Sequence, residues 1–458
     1  MKSAAVCRLA CSRRAFLQAG SALGLSLRGL LQLQEASAAT LPRSRARSVI
    51  ILYLSGGPSQ LDMWDLKPQA PVEIRGTFQP IETNVPGIRV SEHLPRTARL
   101  ADKFAIIRSM SHQEGDHLKA GYLAMTGGPM TRPVIQASGM QRGDRPHVGA
   151  VISREPAAAA VAMPPFVMVP EFISPVGVPR PGQHGGFLGP AYDPYLIDSD
   201  PNLPEYSPGA LAPMADVAQQ RLQQRRSLLA GFGRVAPTAT DTAEYDRYLL
   251  RALDLVASTP AQRAFDLQHE PDVVRDRYGR HVFGQSALVA RRLIEADVRL
   301  VQVNFVRHDR GKGGQGYDSH SVPPSPPHLA WAKSELLPPT DAAFAALIED
   351  LSERGLLDET LVIMLGEFGR TPRFNAYGGR DHWPQCYSAV VAGGGVRGGN
   401  VYGESDKIAA FPRSNPVSPE DLLATMYYLL GIDSQSIIED QQGRPLKLAD
   451  GHVVTGLL

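Results

Sequence analysis

Residues Thr360 to Pro384 read TLVIMLGEFGRTPRFNAYGGRDHWP, and the fold can be worked out from this stretch in both directions. Leu361 to Leu365 is a continuous apolar run of strand length ending at Gly366, the pattern of a strand buried on both faces of a parallel sheet. Glu367 follows at its carboxyl end, where open α/β sheets hold their ligands. Past the Gly-rich excursion Gly378-Gly379-Arg380 come Asp381 and His382. Two carboxylates and an imidazole returning to one strand end are the beginnings of a metal site.

Working upstream, Asp341 to Arg354 reads as a helix closed by Gly355 that delivers the chain into this strand. Before it, the helix Gln285 to Ala296 leads into an apolar strand, Arg299 to Phe305, whose following loop holds Asp318 and His320. Ser48 to Leu54 is a first buried strand ending in the turn Ser55-Gly56-Gly57-Pro58. Phe104 to Arg108 and Phe166 to Val169 are further strands, and between them Asp116 to Met125 reads as a helix closing at Thr126-Gly127-Gly128-Pro129. Gly177 to Tyr206 is rich in Gly, Pro and Asp and reads as irregular, and the segments after it read as a helical insertion at about residues 207 to 275.

Downstream, Tyr387 to Ala392 is a sixth strand. Gly393 to Gly399 lacks the Lys-Ser/Thr ending of a phosphate-binding loop and reads as a flexible hairpin into Asn400 to Tyr402. Ser418 caps a helix that opens with Pro419, Glu420 and Asp421 and ends at Gly431. Strands alternating with helices predict an α/β domain over 46–458 with a mostly parallel central sheet and helices on both faces.

The chain has 458 residues with 43% hydrophobic and 20% charged, ordinary for a soluble globular protein. Its formal charge of +1 owes much to basic residues in the first 38 positions, so the remainder does not carry the field of a nucleic-acid binder. Those 38 residues read as a targeting segment: Ser12-Arg13-Arg14-Ala15-Phe16-Leu17 resembles the twin-arginine export signal, followed by a mildly apolar region and the small-residue cleavage pattern Ala36-Ser37-Ala38. Arg28 interrupts the apolar stretch, and no 18-residue transmembrane span follows. The expected protein is exported through that pathway, periplasmic or extracellular. Cys7 and Cys11 lie in the signal, leaving Cys386 alone, so no intramolecular disulfide or thiolate zinc cluster is expected.

Acids and histidines gather in three groups beside predicted strands: His112, Asp116 and His117; His308, Asp309, Asp318 and His320; Asp381 and His382 with Glu367. In a doubly wound sheet such loops converge on one edge. The metal candidates are Asp318, His320, Glu367, Asp381 and His382, with Asp62 next, and the catalytic candidates are His117 and His112. Plainer readings exist for each: Glu367 paired with Arg370, His382 packed on Trp383, Asp318-Ser-His320 as a turn.

Leu347 to Gly369 (LIEDLSERGLLDETLVIMLGEFG) resembles the helix, strand and metal-ligand turn of the alkaline phosphatase and sulfatase superfamily, and Thr126-Gly127 and Pro416 to Asp433 are similar to it as well. A closer resemblance is to the domain of unknown function 1501 family, carried by SGGPSQLDMWDLKP (Ser55 to Pro68), GGFLGPAYDP (Gly185 to Pro194), ARRLIEADVRLVQVN (Ala290 to Asn304), YDSH (Tyr317 to His320) and GEFGRTP followed by GRDHWP. The resemblance implies an alkaline-phosphatase-like fold, a divalent metal (zinc, calcium, magnesium or manganese) and an anionic small-molecule or polysaccharide ester as substrate.

Departures from the hydrolase pattern are specific. Ser55 and Gly56 stand where the first strand of phosphatases and sulfatases carries metal-binding Asp, leaving Asp62 as the nearest carboxylate. Glu367-Phe368-Gly369 replaces Asp-His-Gly, and His117 falls where sulfatases place their nucleophile. Two functions follow from different classes: a metal-dependent hydrolase of phosphate or sulfate esters, and a non-catalytic binding protein on the same fold.

Overall fold

Eight strands build the central sheet, and their apolar alternation shows which side chains go to which face. They are β1 (Ser48–Tyr53), β2 (Phe104–Met110), β3 (Phe166–Val169), β4 (Tyr195–Leu196), β5 (Leu300–Asn304), β6 (Thr360–Leu365), β7 (Tyr387–Ala392) and β8 (Asn400–Tyr402). Their order across the sheet is β8-β2-β7-β6-β1-β5-β3-β4. Every neighbouring pair is parallel except the two that involve β7. The computed structural model describes residues 45–133, 139–159, 163–175, 177–204, 206, 224, 227–228, 259–307, 314–323 and 327–458. All of them fall within the unit Ser44–Leu458.

In β1 the side-chain period of two sends Ile50, Leu52 and Leu54 to one face and Val49, Ile51 and Tyr53 to the other. The first face packs on helices α5 (Val282–Glu295) and α6 (Leu337–Glu353); the second on α1 (His117–Thr126), α2 (Val148–Ser153) and α7 (Pro419–Leu429). The fold is therefore an α/β fold with a mostly parallel sheet and helices on both faces, as the alternation of elements predicts. Two shorter helices, α3 (Thr259–Phe265) and α4 (Asp272–Tyr278), lie against α5. They cover the last part of the expected insertion. The rest of that insertion, apart from residues 224 and 227–228, the export signal, and His308 and Asp309 lie outside the described residues.

Local chemistry sets the helix ends. Asp116 caps α1, accepting from the Leu118 and Lys119 amides at 2.9 and 3.3 Å, so this carboxylate is used by the helix and not by a site. Gly127 closes the same helix in the left-handed region. Ser418 and Asp421 form a reciprocal capping box on α7.

The Gly393–Gly399 segment is not a hairpin. β8 pairs with β2 and not with β7, so these glycines carry the chain past β2 to the sheet edge. There Gly398 lies against the Asp102 carbonyl, where a Cβ would approach to 2.1 Å.

His147 caps α2 from inside the protein. Its Nδ1 accepts from the Gly149 amide at 2.9 Å, its Nε2–H donates to Gln302 Oε1 at 2.8 Å, and its ring stacks on Phe166. Burial depresses its pKa from 6.5 to about 3. Below pH 6.5 the unfolded chain takes up this proton and the folded one does not, so stability falls with pH. Between pH 7 and pH 5 the wild type should lose about 2 kcal/mol more than His147→Gln in denaturant titrations. An equal pH dependence in the two proteins would refute this reading.

Candidate metal centre

The carboxyl ends of β1, β2, β5 and β6 lie on one edge of the sheet, because these four strands point the same way. β7 runs against them, so it starts at that edge and its preceding segment, with Asp381 and His382, arrives there too. Asp381 and His382 thus reach the site by leading into an antiparallel strand. His382 is set by a small antiparallel pairing of Gly369-Arg370 with His382-Trp383.

Glu367 is fully buried, and its carboxylate accepts the Gly56 amide at 2.9 and 3.1 Å and His117 Nδ1 at 2.6 Å. An ionised carboxylate only accepts, so Nδ1 carries a proton, and in the neutral ring Nε2 is the nitrogen with the lone pair. The same logic fixes the other two rings. His320 Nδ1 donates to Asp381 Oδ1 at 3.0 Å, and His382 Nδ1 donates to the Gly115 carbonyl at 2.9 Å.

The three Nε2 atoms then meet at Asp318. Its Oδ1 lies 2.9 Å from His320 Nε2, 3.2 Å from His117 Nε2 and 3.4 Å from His382 Nε2. His320 and His382 face each other at 2.9 Å between their Nε2 atoms. His117, Asp318 and His382 offer ligand atoms within 4.8 Å of one another. Phe368 packs against the rings of both His117 and His382 and so fixes their tilt.

Charges respond accordingly. Burial disfavours the ionised form of Asp318, but hydrogen bonds from the three histidines, with Arg370 nearby, hold its pKa far below the carboxylate range. Burial also opposes a charge on His117, and the flanking carboxylates overcome it and raise its pKa. Asp318 raises that of His320, whereas burial lowers that of His382.

Arg370 is fully buried and clasps main-chain carbonyls: Gly57 at 2.8 Å, Tyr317 at 3.0 Å, Arg380 at 3.1 Å, and Gly56. It also reaches Asp318 Oδ1 at 3.0 Å, so its ion-pair partner is Asp318 and not Glu367. The turn after β1 is pinned to the same loop. A Cβ on Gly56, whose φ is +105°, would sit 2.3 Å from the Asp318 amide nitrogen. Gly56→Ala should therefore cost at least about 1–3 kcal/mol and displace Asp318. An unchanged melting temperature with metal binding intact would contradict this.

Two expected site residues stand elsewhere. Asp62 is buried and saturated: Arg380 Nε and Nη2 donate to it at 2.9 and 3.1 Å, and His328 Nε2 at 2.9 Å. It belongs to a clasp with Arg380 and His328, apart from the cluster at Asp318. His112 has both ring nitrogens engaged, Nε2 with the Glu367 carbonyl at 2.7 Å and Nδ1 with the Glu114 amide at 3.1 Å. With no lone pair or proton to spare, it braces the Glu367 backbone and is not a catalytic group. Ser55 is likewise committed, to the Phe305 carbonyl at 2.5 Å.

Beside the cluster, a narrow cleft with a volume of only about 10 Å³ is lined by Tyr53, His117, Arg180, Glu367 and the helix face at Leu118 to Met125, among others. Gly121 lies one turn beyond His117, and a Cβ there would be 3.3 Å from the Tyr53 hydroxyl. Neither Tyr53 nor Arg180 stood out in the sequence.

An α/β sheet with a His- and Asp-lined edge defines a broad class of ligand-binding folds. Within it, residues 46–458 match the family described as "Protein of unknown function (DUF1501)", and the chain belongs to that family. No curated protein matches the sequence. Among solved structures, it is similar to the PsFucS1 sulfatase from Pseudoalteromonas sp., at 13% identity and a TM-score of 0.38 over 88% of this chain and 70% of that one. The phosphonate monoester hydrolase SpPMH from Silicibacter pomeroyi gives 13% and 0.38 over 91% and 76%. The lipoteichoic acid synthase LtaP from Listeria monocytogenes gives 10% and 0.40 over 89% and 76%. Likenesses this distant assign neither a reaction nor its residues.

Proposed function

We propose that this protein is an exported, metal-dependent hydrolase of phosphate or sulfate esters. The observation that carries the reading is the meeting of three imidazole Nε2 atoms on one carboxylate oxygen, Asp318 Oδ1. Nitrogen and oxygen donors so arranged fit a divalent cation, and His117, Asp318 and His382 would hold it. The ion would supply Lewis acidity to an ester oxygen and acidify a water.

The chain's own residues do the rest. Glu367 and the Gly115 carbonyl hold the His117 and His382 protons on Nδ1, so each ring, when neutral, would present a lone pair inward. Arg370 fixes the Asp318 loop to the turn after β1. Arg180, half buried in the adjoining cleft, brings positive charge to where an anionic ester would lie.

One observation favours the second reading, a binding protein: the cleft is lined by no Ser, Thr or Cys among the described residues, and the hydroxyls it does offer belong to Tyr53 and Tyr122. A panel of aryl phosphate and aryl sulfate esters decides between the two. Hydrolysis that depends on Asp318 supports the enzyme, and ester binding without turnover supports the binder. Among the described residues no helix is long and apolar enough to cross a membrane. Export rests on the Arg13-Arg14 segment, for which the N-terminal sequence of the mature secreted protein is the check.

A further inference from the structure

We propose that His320 completes a single-ion N3O site with His117, His382 and Asp318, and that this site takes a borderline transition metal such as zinc in preference to manganese, calcium or magnesium. The inference rests on the metal-centre reading above and deepens it.

His320 is anchored at Nδ1 as the other two rings are, although its Nε2 also lies 3.3 Å from Arg370 Nη1 and it stands outside the close group His117, Asp318 and His382. Its Nδ1 is held by Asp381, its Nε2 lies 2.9 Å from both Asp318 Oδ1 and His382 Nε2, and its side chain is 28% exposed. Two imidazole lone pairs facing each other at that separation repel unless a proton or a cation lies between them. Asp318 Oδ1 meanwhile faces three ring nitrogens and one guanidinium, more neighbours than one carboxylate oxygen serves as a hydrogen-bond acceptor.

Each ring is oriented by its own acceptor, Glu367, Asp381 or the Gly115 carbonyl, which is how metal-bound imidazoles are held. Glu367 and Asp381 thereby become orienting groups and not ligands. Glu367 is spent on the Gly56 amide and His117, and Asp381 on His320 and the Asn375 side-chain amide at 3.0 Å. One oxygen among three nitrogens is a poor set for calcium, which takes six to eight oxygens, or for magnesium. Imidazole-rich sets suit zinc and its first-row neighbours.

The test is metal binding by the full chain, purified without its metal and titrated separately with zinc, manganese, calcium and magnesium, with cobalt(II) absorption reporting imidazole ligation. One zinc ion should bind per chain, resisting displacement by a thousandfold excess of calcium or magnesium. His320→Ala should weaken zinc at least ~100-fold and alter the cobalt spectrum. Asp381→Asn, which leaves the imidazole in place, should weaken it ~10–100-fold. Unchanged zinc affinity in His320→Ala, two ions per chain, or displacement of zinc by calcium would overturn the assignment. Esters are assayed on the same samples: zinc bound as described without hydrolysis refutes the hydrolase and leaves the metal site standing. Calcium-supported hydrolysis in His320→Ala does the reverse.

Discussion

If the proposed hydrolysis is right, Asp318→Ala and His382→Ala should each lower the turnover of aryl phosphate or sulfate esters by at least ~100-fold, the scale of losing one electrostatic element of a catalytic site. Asp318 is where the three rings meet, so its removal leaves the imidazoles without a shared anion. His382 is partly exposed and set by a short hairpin, so its alanine variant should fold and isolate the chemical loss. Rates are to be compared at matched metal occupancy as well as at fixed metal concentration. A loss that disappears at matched occupancy assigns the residue to holding the ion alone. Activity unchanged in both variants means that the hydrolysis has another source.

The second large effect is on stability. Asp62→Ala leaves the Arg380 guanidinium buried without its carboxylate, which should cost about 3–5 kcal/mol. Arg380 keeps the carbonyls of Ile74, Thr371 and Pro372 and lies over the Phe374 ring, so the loss should be electrostatic more than steric. The double variant Asp62→Ala with Arg380→Met should lose less than the sum of the singles, since the charge left stranded by the first is removed by the second. The destabilisation should be the same with and without added metal. Loss confined to the metal-loaded protein would return Asp62 to a ligand role.

Much of this architecture was legible because the strands of the sheet's centre carry their own burial signature: SVIILY and TLVIML read as apolar on both faces, and LVQVN as apolar on one, with Gln302 and Asn304 buried on the other. The direction of β7 was not legible. YSAVVA is buried throughout, and nothing in it distinguishes a parallel from an antiparallel neighbour. That direction decides how Asp381 and His382 reach the site, and their position was nonetheless anticipated because either route ends at the same edge.

The residue types of the centre could be read from the sequence, but their division of labour could not. Whether Glu367 ligates or orients depends on which nitrogen of His117 faces it, a fact of rotation about side-chain bonds. The pairing of Asp62 was not legible because its partner Arg380 lies 318 positions away, and a buried arginine runs against the ordinary expectation for that side chain. Arg370 was overlooked as a fastener for the same reason.

The most direct measurement is ester hydrolysis followed through removal and return of metal. Protein stripped with a chelator should lose its activity on the aryl ester panel, and one equivalent of zinc per chain should restore it in the wild type but not in Asp318→Ala. Hydrolysis that survives stripping, or that returns equally in Asp318→Ala, would contradict the metal centre as the seat of the reaction.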